Sequence, residues 1–569
     1  MAINFNLTMA LVALVFTLFT WLGGGIVGSW LNGWTVWLTL LVAEVALVLP
    51  EQKRNESLFD ARRRVGKAVL CDPLTWLTLL LTGFFVIQWL NGGTFMEWDV
   101  SAQKWLIRSP VFTWMQHPDT ATLMSIPPAD TATVAYRQLP PMFDWLPGSF
   151  RSDEAYSVLN WFPPVLVSLL AVRHALLKRT KRLLVDYICA MTAVLAVAGI
   201  IQYALGGTFL YWGRHAGAFF FATFGYPNHA AGFFPAVMAV SVGLMMWAHE
   251  HREHTRVPPW LYGVFAVLCA VSGILSGSRA GVIFTLAVGG FTVMYAIFRY
   301  FGTWSPRLRI AVPGVLLAVA LFVGWTVGFR VYALRSNAER AEALRTAVTA
   351  EERQKASSLP TFSSVPMLDG VLGEIDDTDW AAFFEHPMLM RSGYQGILAL
   401  RQHADHPWVG TGAWSFRWLN VRYINRDNPE EKGWFESRKG VGQANVHNDT
   451  LQYLAEHGWV GFGLMLAIIA ALALPFLKQL FCSPAYTVSD EQADRSWINR
   501  INVVYVFFFV ATAMMAAHSF VDLVFRSPAC MMLYGLMFVC APGFLLGRRK
   551  TAKTASVAVS EPPTSIPQA

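Results

Sequence analysis

Charge is what this sequence has least of. Asp, Glu, Lys and Arg make up 14% of its 569 residues, against about 25% in an ordinary soluble domain. The shortage comes in blocks. Many windows of about 18 residues hold no charge at all, the length of helix that crosses about 30 Å of hydrocarbon. With 54% hydrophobic residues, this excludes a water-soluble globular enzyme and predicts an all-α polytopic membrane protein. Cysteine is sparse too. Cys71, Cys189, Cys269, Cys482, Cys530 and Cys540 all fall in expected spans or in loops assigned to the inner side, so no structural disulfide is expected. No positive charge precedes the first apolar stretch, from about Thr8 to Leu22, and no A-x-A cleavage site follows it. It reads as a retained helix and not a cleaved signal. There is no phosphate loop, no HExxH and no internal repeat. The net charge of +7 needs no nucleic-acid partner, because inner loops of membrane proteins are rich in Lys and Arg.

About twelve spans follow from hydropathy. They lie near 8–24, 31–50, 73–91, 158–172, 184–205, 228–248, 260–276, 280–298, 310–329, 458–477, 500–519 and 528–547. Spans 1–3 occupy residues 1–91, spans 4–9 residues 158–329 and spans 10–12 residues 458–547. Loops 51–72, 173–183, 249–259 and 299–309 and the tail 548–569 carry the basic residues, and they alternate with loops that are nearly bare. Both termini are therefore expected inside. Two long segments fall outside. The first, 92–157, is rich in Trp, Pro and Asp and is expected to be an irregular cap with little core of its own. The second, 330–457, is the largest extracytoplasmic part, with a helix expected over Leu389–Ala404 and a turn at Pro407–Gly412. The tail reads as disordered.

Against this background the polar residues at the outer face stand out. His447-Asn448-Asp449 opens a short amphipathic stretch, VHNDTLQYLAEHGWVG, in which Leu451, Leu454 and Ala455 recur at helical spacing and Gly458 suits a C-cap. A histidine beside a helix N-terminus is biased toward the neutral form and can accept a proton from a hydroxyl; an ordinary interfacial histidine fits the spacing equally well. Arg279, in SGSRAG between two apolar runs, costs about 2.5–3.5 kcal/mol at membrane depth on insertion scales. Its guanidinium suits phosphate oxygens, although an arginine snorkelling to the interface has the same sequence signature. Arg391 and Arg214 are similar outer cations, each equally compatible with a solvated surface residue. Asn228, Asn448, Asp449, Glu456 and Asp522 are supporting polar groups; Asn228 and Asp449 also suit simple helix capping.

Five segments together resemble a known family: FATFGYPNHAAGFF (221–234), SGSRAGVIF (276–284), RSGYQGILALRQHADHPWVGTGAWSF (391–416), VHNDTLQYLAEHGWVGFG (446–463) and HSFVDLVFRSP (518–528). In this order they resemble the O-antigen ligase/polymerase superfamily of bacterial surface-glycan enzymes, over most of the chain from about residue 185. The resemblance implies a GT-C-like transferase of the bacterial inner membrane, working at the periplasmic face without metal, nucleotide or cofactor. It would move a glycan from undecaprenyl diphosphate to an acceptor. It implies His447 as the catalytic residue and Arg279 and Arg391, with Arg214, as diphosphate ligands. The acceptor could be lipid A–core (a ligase), another lipid-linked glycan (a polymerase) or a protein hydroxyl (an O-oligosaccharyltransferase). The insertion between Phe329 and Arg391 and the long first outer loop depart from the family pattern and leave the acceptor open. A polytopic lipid or glycan transporter is the alternative of another class. It would place its ionisable groups near the membrane midplane, whereas here they gather at one face.

Overall fold

Helix accounts for most of residues 6–22, 34–107, 122, 124–133, 135–206, 221–300, 393–429, 445–482 and 501–545, which the computed structural model describes. Asn6 caps α1 (Leu7–Thr17) by accepting from the Met9 N–H at 3.0 Å, and the chain runs on as a π turn, Leu18–Leu22. α2 (Trp34–Val48) and the charged α3 (Leu58–Cys71) follow. Asp72 then caps α4 (Pro73–Leu90), accepting from the Leu74 N–H at 3.0 Å. After a segment with three short strands come α5 (Ser152–Leu159), α6 (Phe162–Ala175), α7 (Lys178–Ala204), α8 (Pro227–Glu250), α9 (Pro259–Leu275) and α10 (Arg279–Tyr300). The last group is α11 (Gly393–Asp405), α12 (Phe416–Leu419), α13 (Asp449–Cys482), α14 (Val503–Ser519) and α15 (Pro528–Cys540). Prolines at the first turn of α4, α6, α8, α9 and α15 sit where a missing N–H costs nothing.

Among the described residues, six stretches are long and apolar enough to cross a membrane: Pro73–Leu90, Ser152–Ala175, Lys178–Ala204, Pro227–Glu250, Arg279–Tyr300 and Asp449–Phe481. Leu7–Leu22, Trp34–Val48, Pro259–Leu275, Val503–Ser519 and Pro528–Phe544 are apolar but shorter. α8 is the hub. It is buried almost end to end and packs against α9, α10 and α14 through small residues such as Ala230, Ala231, Ala236 and Ala239. Small side chains let helix backbones approach closely, which is how apolar helices gain contact when their surroundings are also apolar. The outer helices do the reverse. Trp37, Leu79, Val194, Val267, Leu286 and Leu474 all face outward, an apolar exterior that suits hydrocarbon better than water.

Three expectations shift. The span expected at 158–172 begins earlier, at Ser152, and is broken between α5 and α6 where Pro163 and Pro164 follow Trp161. The span expected at 184–205 also starts early, because the basic run from Lys178 is helical; hydropathy registers its charge and not its backbone bonds. The described part of segment 92–157, expected to be an irregular cap, is not irregular. β1 (Phe95–Asp99), β2 (Lys104–Ile107) and β3 (Tyr136–Gln138) form an antiparallel sheet in the order β2-β1-β3. It has a small core of its own, Met96, Trp98, Trp105 and Leu139. The alternation in Phe95-Met96-Glu97-Trp98-Asp99, with Met96 and Trp98 turned inward, is the strand signal that composition obscured. The span expected at 310–329, residues 330–392 of the second outer segment and the tail 548–569 lie outside the described residues.

Candidate functional site

The site begins with a helix cap. Asn448 Oδ1 accepts from the Leu451 N–H at 3.0 Å, starting α13, while Asn448 Nδ2 donates to the Phe520 carbonyl at 2.7 Å. To enter this cap the chain turns at His447, whose φ is +56°. A non-glycine residue in the left-handed region is uncommon and costs roughly 1–3 kcal/mol. The surroundings hold it there. Val446 N–H donates to Gln452 Oε1 at 3.0 Å, and the Asp449 N–H donates to the Asp522 carbonyl at 3.3 Å.

His447 is 7% exposed and its Nδ1 faces two partners. Asp522 Oδ1 lies 3.3 Å away and Tyr226 Oη 3.0 Å away. The donors and acceptors around them close consistently. Tyr226 Oη donates to Asp522 Oδ1 at 2.7 Å and accepts from Asn228 Nδ2 at 3.1 Å. Asn228 Nδ2 also donates to Asp522 Oδ2, and Asn228 Oδ1 accepts from Ser278 Oγ. The Leu523 N–H donates to Asp522 Oδ1 at 2.7 Å. Burial of Asp522 would raise its pKa, but the hydrogen bond and charge from His447, then the Tyr226 hydroxyl, hold it below the usual carboxylate value. A carboxylate accepting at Nδ1 assigns the proton to that nitrogen and leaves Nε2 with a lone pair. No described residue hydrogen-bonds Nε2.

The chain of bonds ends beside Arg279. Ser278, bonded to Asn228, is the residue before it, and Arg279 opens α10 half-buried. No described residue ion-pairs or hydrogen-bonds with its guanidinium. A cation at a helix N-terminus opposes the dipole, and an anion placed there would relieve that opposition. Its placement depends on the approach of α9 to α10. A Cβ on Gly281 would sit 2.3 Å from the Gly273 carbonyl oxygen, so any side chain there pushes the two helices apart.

A second cluster braces the first. Arg526 donates from Nη2 to Glu456 Oε2 at 2.7 Å, has Nε 4.0 Å from Asp449 Oδ1 and lies over the Trp414 ring at 4.5 Å. Gln452 donates to Glu456 Oε1 at 2.8 Å from the adjacent helical turn, and the Phe525 N–H donates to Asp449 Oδ2 at 2.7 Å. These bonds pin the loop that carries Asp522 onto the first turns of α13. At Gly458 α13 kinks, with φ +60°, and a Cβ there would lie 2.4 Å from the Trp408 carbonyl carbon. The turn after α11 thus docks on the kink. Beneath Asp449 and Arg526 an apolar cavity of about 380 Å³ opens between α6, α13, α14 and α15, lined by Phe162, Leu169, Met465, Leu472 and Tyr534.

Neither a scan of protein-family models nor a search of curated proteins finds a match for this chain.

Of the expected site residues, His447, Asp522 and Asn228 form one hydrogen-bonded unit, and Arg279 adjoins it through Ser278. Asn448 is the cap. Asp449 and Glu456 belong to the Arg526 cluster. Arg391 and Arg214 lie outside the described residues. Sequence reasoning missed Tyr226, Ser278 and the bracing role of Arg526. Tyr226 and Ser278 stand close to singled-out positions, in GYPN and GSRA, but only the fold reveals that both hydroxyls bond Asn228.

Proposed function

We propose that this chain is a membrane glycosyltransferase that moves a glycan from undecaprenyl diphosphate to a hydroxyl acceptor at the periplasmic face of a bacterial inner membrane. The observation that carries the reading is His447, held on a left-handed backbone with Nδ1 bonded to Asp522 and Tyr226. That arrangement suits a general base. Nε2 takes the proton of the acceptor hydroxyl as its oxygen attacks the anomeric carbon. The bond from that carbon to the diphosphate oxygen breaks, and undecaprenyl diphosphate leaves with the electron pair. Asp522 stabilises the imidazolium while it lasts. The configuration inverts, because one displacement occurs and no enzyme-bound sugar is needed. Arg279, a cation beside this unit with no ion pair among the described residues, neutralises charge developing on the leaving diphosphate. Arg391 and Arg214 are proposed as further diphosphate ligands. The apolar cavity below Asp449 gives the lipid a lateral path, which a soluble substrate would not need. The proposed scaffold is GT-C-like, with twelve spans and both termini in the cytoplasm.

The test is transfer in vitro. Purified protein receives an undecaprenyl-diphosphate-linked glycan and lipid A–core, a second lipid-linked glycan or a serine-containing peptide, without metal or nucleotide. Wild type is expected to transfer, and His447→Ala and Arg279→Ala to lose transfer; the acceptor that works names the subclass. Equal transfer by all three proteins would refute the site. Lipid movement across proteoliposomes with no transfer to any acceptor would favour a transporter.

A further inference from the structure

The outer cap carries a run of alternating rings and ions. Tyr136 on β3 stacks on Phe95 of β1, centroids 5.4 Å apart and planes within 20°. The Arg151 guanidinium lies over Phe95 at 3.9 Å and over Trp418 at 4.5 Å, while Arg151 Nε donates to Asp153 Oδ1 at 2.9 Å. Trp418 Nε1 donates to Glu154 Oε1 at 3.4 Å, and Glu154 faces Arg417 at 3.5 Å. Arg417 in turn lies over Trp414 at 4.4 Å, the ring that also carries Arg526. The run therefore leads, contact by contact, from the edge of the sheet to the cluster bracing His447.

Its outer end is open. Tyr136 is 60% exposed and Trp418 41% exposed. Packing gains nothing from this, since an aromatic ring loses its hydrophobic stabilisation when wet. What the surface offers is flat apolar faces edged by charged hydrogen-bonding groups. A pyranose ring has the complementary form, two C–H faces bordered by hydroxyls. A lipid surface is a poorer match, because Asp153 and Glu154 lie at the same place as the rings. A cation already stacked on Phe95 and Trp418 also keeps the rings rigid, so ordering them on binding costs little.

We infer that Tyr136 and Trp418 form a docking surface for the glycan part of the substrate, several sugars away from the bond that reacts. This deepens the glycosyl-transfer reading and rests on it. The surface holds a long chain in register with His447 and contributes nothing to a substrate too short to reach it. Preference for long glycans is then a property of the cap and not of the reacting centre.

Two measurements test it. In the first, transfer is followed with donors carrying one repeat or many. Tyr136→Ala and Trp418→Ala are expected to raise KM for the long donor about five- to tenfold, with kcat and short-donor kinetics unchanged. Trp145→Ala, another exposed aromatic that is not part of the run, serves as the control and is expected to behave as wild type. In the second, the free oligosaccharide released from the donor by mild acid is titrated against wild type and Tyr136→Ala, following tryptophan fluorescence. Saturable binding by wild type, weakened in the variant, is expected. Variants matching wild type for both donor lengths overturn the surface and leave the transferase reading standing. Oligosaccharide binding without any transfer keeps the surface and removes the transferase reading.

Discussion

His447 Nδ1 and Asp522 Oδ1 lie 3.3 Å apart across 75 residues of sequence. They meet because two polar devices act together. Asn448 caps α13 and reaches back to Phe520, while Arg526 fastens the far end of the same loop to Glu456. The loop bearing Asp522 is thus held at both ends against the first turns of α13, which is what the proposed base and its orienting carboxylate need.

Replacing Asp522 by Asn keeps the shape and removes the charge that stabilises the imidazolium. Transfer is expected to fall about 10²- to 10⁴-fold, with donor affinity unchanged. Single-turnover transfer and donor binding, measured on the same preparation, separate the two effects. An Asp522→Asn protein with wild-type turnover would show that the carboxylate does not serve the base.

The same carboxylate makes a pH prediction. Its pKa in the folded protein is held below the ordinary 3.8, so its contribution to stability is fully present above about pH 4 and disappears as pH falls through the folded value. The difference in Tm between wild type and Asp522→Asn should shrink as pH falls below about 4. A difference that grew below about pH 4 would contradict the sign.

Arg279 is expected to act on the diphosphate by charge and by shape. Arg279→Ala should slow transfer about 10²-fold or more, and Arg279→Lys should recover part of that, because an ammonium keeps the charge but not the bidentate fork. Thermal stability should barely move, since no described residue depends on this guanidinium. A large loss of Tm in Arg279→Ala would mark the residue as structural.

Arg526→Ala should behave in the opposite way. Glu456 has a fully buried side chain, and removing its partner leaves an uncompensated charge, a loss of about 3–5 kcal/mol. Unfolding in detergent would read this, and the double variant Arg526→Met/Glu456→Leu should regain most of it. Failure of the double variant to recover would argue that Asp449 and Trp414, and not Glu456, are what Arg526 serves.

Gly458→Ala tests the kink. With φ at +60° and a Cβ 2.4 Å from the Trp408 backbone, the substitution should cost at least about 1–3 kcal/mol. It should also loosen the turn after α11, measurable as faster limited proteolysis near residues 406–412. Unchanged proteolysis and Tm would show that the two segments separate freely.

Hydropathy located the apolar described helices, because a chain in an apolar setting must satisfy its backbone internally and so announces each such helix as an uncharged run; it missed the charged α3, which lies in the segment 51–72 expected to be a loop. It read least well where charge and helix coincide, at Lys178, and where a strand alternation lay inside a Trp- and Pro-rich segment, at Phe95–Asp99. His447 and Arg279 were legible because a polar residue at the edge of an apolar run is costly and so conspicuous. Their partners were not. Tyr226 reaches Asp522 across 296 residues and Ser278 reaches Asn228 across 50, and nothing in local spacing records either distance.

By itself, then, the sequence determined that this chain is helical and apolar and that its few polar residues gather around particular turns, since composition and periodicity act residue by residue. Tertiary structure alone decided which of them touch. It seated His447 on a left-handed backbone opposite Asp522, left Arg279 without a described partner and spent Arg526 on bracing. Hydrogen bonds and ion pairs are short-ranged and directional, so their pairing is settled only when distant segments pack together.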